Sequence, residues 1–150
     1  MVSEDTIIKK FTLLDDYLAI LSQISKTEWS VFLKDKILIG SAKYYLQVSI
    51  ECCLDVANHI IGSERFRPPA DYADSFSVLE EEAVLSHDLA LRLRQMAKFR
   101  NRLVHLYGEI DNQYVHKAMR EDVKDIHKFR EIILDHFISQ EGDGPSLPYL

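Results

Sequence analysis

Glycine and proline are scarce in this chain, at 5 and 4 of 150 residues. An all-β domain turns every few residues and draws on both, so the scarcity argues against strands and suits long helices. Cysteine is scarcer still. Cys52 and Cys53 are adjacent in an apolar run; neighbouring thiols do not readily bridge, and no further Cys or His stands at ligand spacing, so inert buried thiols and no metal site are expected. There is no run of 18 apolar residues, which excludes a spanning helix. The opening MVSEDTIIKK is charged and has no signal-peptide core, so the chain is expected in the cytoplasm without membrane contact. Positive charge is also short. A formal net charge of −6 argues against a general nucleic-acid coat, while leaving room for a local basic site.

What is present is helical pattern. The length is one domain's worth, and 47% hydrophobic with 28% charged residues is the balance of a domain with a real core. Ile7, Phe11, Leu14, Leu18 and Leu21 fall three and four apart, which predicts a helix over 4–25 capped by Ser3 or Asp5. TEWSVFLKD reads as a short helix capped by Thr27. A long helix from about Ile37 to Ile61 is apolar on several sides, as a central bundle helix would be. GSERFRPPADYADS, with Pro68 and Pro69, reads as a loop over 62–75, followed by a short helix over 75–84. The fifth helix runs from a Ser86 cap to a Gly108 stop. The sixth begins at an Asp111 cap and carries the stripe Val115, Met119, Ile126, Phe129 and Ile133. The reading is all-α, an antiparallel bundle of five to six helices, with one domain over 1–138 and a mobile tail over 139–150.

The fifth helix contains KFRNRLVHLYGEID, residues 98–111. At 100° per residue, Arg94, Lys98, Asn101 and Arg102 lie within about 60° of His105 and form a polar, basic face. Leu89, Leu93, Met96, Phe99, Leu103 and Leu106 form the opposite, apolar face. Arg100 and Tyr107 project onto the apolar side, with Arg100 about 140° from His105. A guanidinium there needs a partner, unless its stem carries the charge to the edge as Arg92 can near the helix start. Between Arg92 and Arg102 stand five Lys or Arg and no acid. Such a run fits a solvated face, the docking site of an acidic partner, or a phosphate site.

Arg100, Asn101, His105 and Tyr107 spell Arg-Asn-x-x-x-His-x-Tyr. This pattern resembles the signature of the HEPN superfamily, and of its HepT-like branch in particular. HIIGSERFRPPADYADSFSVLEEEAVL resembles the segment that precedes the motif helix in that branch, and the similarity extends over roughly residues 5 to 138. The resemblance implies a dimerising all-α ribonuclease, independent of metal and cofactor, that serves as the toxin of a toxin–antitoxin pair. It also implies a minimal nucleotidyltransferase as antitoxin and partner, able to adenylylate the motif tyrosine, here Tyr107.

The residue chemistry suits that expectation. Metal-free RNA cleavage uses the 2′-hydroxyl as nucleophile and needs a proton acceptor and a proton donor, for which histidine is suited. His105 and Arg100 are thus the expected catalytic pair, with Arg100 on the phosphate oxygens and Asn101 on phosphate or on His105. Arg94, Lys98 and Arg102 are expected to bind RNA. The angle between Arg100 and His105 favours a cleft shared by two copies across a two-fold axis. His59, His87, His116, His127 and His136 are expected to be structural or solvated, whereas Glu51 and Asp55 could reach the motif from the long helix. Two other readings remain: a non-catalytic HEPN module that partners a nucleotidyltransferase, and a plain structural bundle.

Overall fold

The computed structural model of the chain describes residues 1–138; the tail expected over 139–150 lies outside them. Six helical arms follow one another, all-α as the periodicity predicts. They are α1 (Glu4–Ser25), α2 (Trp29–Phe32), α3 (Lys36–Ser63), α4 (Tyr72–Glu81) and α5 (His87–His105), then a last arm. That arm joins α6 (Asn112–Lys117), a π-helical turn (Ala118–Asp122) and α7 (Val123–Phe137) without a break. All five residues of the predicted stripe, Val115, Met119, Ile126, Phe129 and Ile133, are buried, with the π-helical turn lying between Val115 and Ile126. Among the described residues no helix is long and apolar enough to cross a membrane.

The central helix is α3, which packs against α1, α4, α5, α6 and α7. Its Ala42, Leu46, Val56, Ala57 and Ile60 are fully buried. Phe129 joins three arms: its ring meets Phe11 edge-on at 6.4 Å and Phe76 at 5.7 Å, a favoured aromatic geometry. Arg130, almost fully buried, grips Asp15 of α1 through Nε at 2.8 Å and Nη2 at 2.9 Å. Cys52 and Cys53 are buried and unbridged; burial pushes the Cys52 thiol up to about 11 and Cys53 well above its usual range, so neither is a ready thiolate.

Helix starts follow the sequence closely. The side chains of Ser3, Asp35, Asp71, Ser86 and Asp111 accept from the backbone N–H groups of their helices. Two expectations fail. Thr27 does not cap α2, whose first position follows Glu28 without a side-chain cap. The short fourth helix starts at Tyr72 rather than 75. Arg67 shortens the loop by donating to Asp74 at 2.8 and 3.0 Å and to Glu81 at 2.8 Å, which pins the chain across both ends of α4. Arg67 thereby holds the Asp74 carboxyl at about 2.

Helix ends show what the shortage of glycine costs. The chain leaves α3 and α4 through left-handed residues that are not glycine, Arg65 (φ 58°) and Ala83 (φ 59°). At α4, Val84 N–H donates to Leu79 O at 2.9 Å and Ala83 N–H to Glu80 O at 3.0 Å, the bond pair of a Schellman ending. A Cβ in that conformation costs on the order of 1 kcal/mol. Ala83→Gly is therefore expected to raise the stability by about 0.5–1 kcal/mol, read from the midpoint of urea denaturation at unchanged slope. An unchanged or lower midpoint would remove this account of the α4 ending.

Candidate functional site

The apolar face of α5 forms as projected. Leu89, Leu93, Met96, Phe99 and Leu103 are buried, whereas Leu106 is 45% exposed, because the helix has already ended. Arg100 sits among these residues with a side chain only 16% exposed, and it has a partner. Its Nε and Nη2 donate to Oε2 of Glu51 on α3, at 2.9 and 2.7 Å. Its Nη1 donates to Asn101 Oδ1 at 3.2 Å. The Tyr72 ring covers the guanidinium at 5.0 Å. A small cavity of about 140 Å³ opens between Arg100, Glu51, Tyr72, Leu54 and Asp55.

A guanidinium carries five N–H donors. Glu51 and Asn101 take the Nε–H, one on Nη2 and one on Nη1. Each terminal nitrogen keeps one donor without a protein partner among the described residues. Arg100 is thus held by Glu51 along one edge and keeps two donors, one on each terminal nitrogen, that can meet a phosphate or carboxylate oxygen. Glu51 is the residue that makes this possible. Asp55, its companion one turn on, is used otherwise, since it accepts from Lys10 at 2.9 Å.

Asn101 lies against Arg100 rather than His105. His105 is the last residue of α5 and is exposed, as are Lys98 and Arg102. Arg94 belongs with none of them: it is largely buried and donates to Glu80 at 3.0 Å and Ser77 at 3.4 Å. Arg92 is paired with Asp125 at 2.9 Å. Of the basic run, three arginines are tethers between helices. Three other histidines also have structural work. His59 Nε2 accepts from Ser3 N–H at 3.0 Å, His87 Nδ1 meets Glu80 at 2.8 Å, and His116 packs against Trp29 and Phe32.

The ending of α5 departs from the expectation. Gly108 is not a left-handed stop, and no glycine among the described residues has positive φ. The helix breaks at Leu106 (φ −128°, ψ 35°), and Tyr107–Glu109 form a 3₁₀ turn. The physical cause is Lys43 of α3. Its nearly buried ammonium donates to the Tyr107 carbonyl at 2.9 Å and lies 4.3 Å above the Tyr107 ring, so it draws the chain off the helical path. Tyr107 therefore does not continue the Arg100 face. It is 48% exposed, and its hydroxyl lies beside Gly40, where a Cβ would meet it at 3.5 Å. Lys43 and Glu51 stand eight residues apart on α3, about 12 Å of helix rise.

Three comparisons bear on this arrangement. The family model described as HepT-like, Ribonuclease HepT-like, matches residues 14–133. The mRNA nuclease HepT of Shewanella oneidensis is 29% identical over 129 residues, 86% of this chain and 96% of that protein. A putative RNase of Archaeoglobus fulgidus is 28% identical over 68% of this chain and 76% of its own. Among solved structures, a tri-AMPylated HEPN toxin from Shewanella oneidensis in complex with MNT antitoxin superposes with a TM-score of 0.83 at 28% identity. It covers 89% of this chain and 100% of that one.

The Lys43 clamp can be tested without reference to any activity. Lys43→Ala removes a hydrogen bond from a charged donor, which contributes about 1.5–3 kcal/mol. Amide hydrogen exchange over residues 105–110 is expected to speed up by ten-fold or more, with the α1–α3 core unchanged. Equal exchange in the variant would mean that Lys43 does not set the turn.

Proposed function

The chain belongs to the HepT-like ribonuclease family, and from that membership and the geometry around Arg100 we propose that it is a metal-independent endoribonuclease. In this reading it is the toxin of a toxin–antitoxin pair, restrained by a nucleotidyltransferase antitoxin. The observation that carries the reading is Arg100, ordered by Glu51 with two charged donors to spare, on a helix that ends in an exposed histidine.

The chemistry follows from those groups. The 2′-oxygen attacks the adjacent phosphorus while His105 takes its proton. The bond from phosphorus to the 5′-oxygen breaks, and that oxygen leaves with a proton, giving a 2′,3′-cyclic phosphate and a 5′-hydroxyl. Negative charge grows on the non-bridging oxygens, where the Arg100 fork donates to it. Asn101 supports this from the side by holding Nη1. Lys98 and Arg102, exposed on the same helix, bind flanking phosphates; Arg94 would join them only by leaving Glu80. Arg100 and His105 lie on different sides of α5, and Tyr72, Val104 and Leu106 nearby are exposed. Both facts favour a homodimer in which the two copies of α5 line one cleft, so that the second His105 supplies the departing proton.

Purified protein is expected to cut RNA in EDTA. Arg100→Ala and His105→Ala should each lower the rate by about 10² to 10⁴ with the helical circular dichroism retained. Light scattering at micromolar concentration should give a dimer. If His105→Ala cuts as fast as the wild type, the catalytic assignment is wrong, and a monomer that cuts fully would remove the shared cleft. A protein that cuts nothing but still binds a nucleotidyltransferase would be the non-catalytic partner module instead.

Control is proposed to act at Tyr107. Tyr107 is half-exposed on a short turn, within reach of a modifying enzyme. Adenylylation joins the tyrosine oxygen to the α-phosphorus of ATP and releases pyrophosphate, leaving a phosphodiester charge and a bulky base on the turn that follows His105. The cation nearest that charge is Lys43, not Arg100 as the straight-helix projection implied. Co-expression with a cognate nucleotidyltransferase is expected to add one AMP mass to the peptide containing Tyr107, and Tyr107→Phe should stay unmodified and toxic. Full neutralisation of Tyr107→Phe by an active antitoxin, with no added mass on the wild type, would exclude control by modification.

A further inference from the structure

A second feature lies beside the motif helix. A cavity of about 710 Å³ opens between α2 and the start of the last arm, where the π-helical turn begins, and is lined by Trp29, Tyr114, His116, Lys117 and Arg120. Its size is within the range of small-ligand sites. Two carboxylates also line it. Asp111 is occupied in accepting from Gln113 N–H at 2.9 Å, and Glu121 is exposed at the edge. Lys117 and Arg120 are exposed and make no salt bridge within 4 Å among the described residues, although the Asp122 carboxylate feels the charge of Lys117.

Three observations give the cavity a chemical character. Trp29 lines the cavity with its partly buried indole in ring contact with His116 at 5.1 Å and Phe32 at 6.3 Å. The Nε2 of His116 is buried and has no hydrogen-bond partner among the described residues, an atom that ordinarily costs stability unless something meets it. The Tyr114 ring ties the cavity to the motif helix. It stacks on Phe99 at 4.8 Å, and the cations of Arg102 and Lys117 approach it to 5.9 and 5.8 Å. Positive charge thus continues from the exposed end of α5 across Tyr114 to the cavity mouth.

Aromatic faces interleaved with cations are what an unpaired base and its phosphates require. We propose that this cavity is a subsite for one unstacked base of single-stranded RNA next to the cleaved bond. The base stacks on Trp29, while Arg102, Lys117 and Arg120 hold the adjoining phosphates. The proposal rests on the ribonuclease reading and adds a selection for unpaired RNA, since a base within a duplex cannot enter.

Trp29 is the chain's only tryptophan, so its emission reports on the cavity in the unmodified protein. A short single-stranded 2′-O-methyl oligoribonucleotide, which lacks the nucleophile and cannot be cut, is titrated in while Trp29 emission and the anisotropy of a dye on the oligomer are read together. Emission should be quenched over the same concentrations at which anisotropy rises. The surface variant Lys117→Ala/Arg120→Ala should bind on the order of ten-fold more weakly and lower the slope of log affinity against log salt by about two. A rise in anisotropy with unchanged Trp29 emission and an unchanged slope in the variant would overturn the subsite and leave the ribonuclease reading intact. Equal quenching by free AMP at the same concentration would make the cavity a mononucleotide site and likewise overturn it. No binding by either readout, together with no cleavage of ordinary RNA, would remove both.

Discussion

A guanidinium lodged against the apolar face of a helix has to be met by a carboxylate, and Glu51 meets Arg100. The pair is partly buried, at 16% and 30% side-chain exposure, so each group has lost much of its water and neither is neutral in effect if the other is removed. The contact also has a direction. Because Oε2 accepts from both Nε and Nη2, the guanidinium plane and the rotation of α5 against α3 are fixed together. The outer donors then point where the helix, not solvent, decides. A flexible surface arginine would have to be ordered by each phosphate it met; this one is ordered beforehand, which is the form the proposed reaction asks of a charged group.

The same long helix sets the other end of the motif. Lys43 reaches the Tyr107 carbonyl from within α3, and burial lowers its ammonium from the usual lysine range. A cation in that position is retained because a carbonyl and a π-face both receive it. Its effect is to end α5 at His105 and to swing Tyr107 off the helix. Glu51 and Lys43 therefore act in opposite senses on the two ends of KFRNRLVHLYGEID: one carboxylate draws Arg100 in, one ammonium turns Tyr107 out. The four residues of the motif stand close in sequence yet serve separate surroundings.

Much of this was legible in the sequence, and the parts that were not share one cause. The helix order, the buried stripes and the caps Ser3, Ser86 and Asp111 follow from apolar period and local hydrogen bonding, which act within a turn or two. The start of α4, the break at Leu106 and the uncapped α2 depend on Arg67, Lys43 and the packing of Trp29, residues that act from a distance in the chain. Straight-helix projection placed Arg100 correctly, because α5 is regular there, and misplaced Tyr107 and Leu106, because the helix had stopped. Glu51 could be named as a residue able to reach the motif, but its choice over Asp55 needed the rotation of α3. The cavity at Trp29 had no signal at all, since Trp29 and His116 meet only when α2 folds onto the last arm.

The charge distribution acquires a different meaning once the tethers are removed from it. As sequence, Arg92 to Arg102 looks like a positive stripe on an acidic protein. In the structure Arg92, Arg94 and Arg100 are each matched by an acid on another helix, so the first half of α5 carries little field outward. The unmatched charge is Lys98 and Arg102, with His105 at the end. An overall charge of −6 repels a polyanion at most approaches, and exposed cations are screened beyond about 8–10 Å at physiological salt. A phosphate chain is therefore attracted over a short stretch only, the one that ends at His105 and borders Tyr114. Acidity elsewhere and basicity here are parts of one arrangement: the net charge discourages a polyanion along most of the surface, and the cations that α5 leaves exposed are Lys98 and Arg102, next to His105.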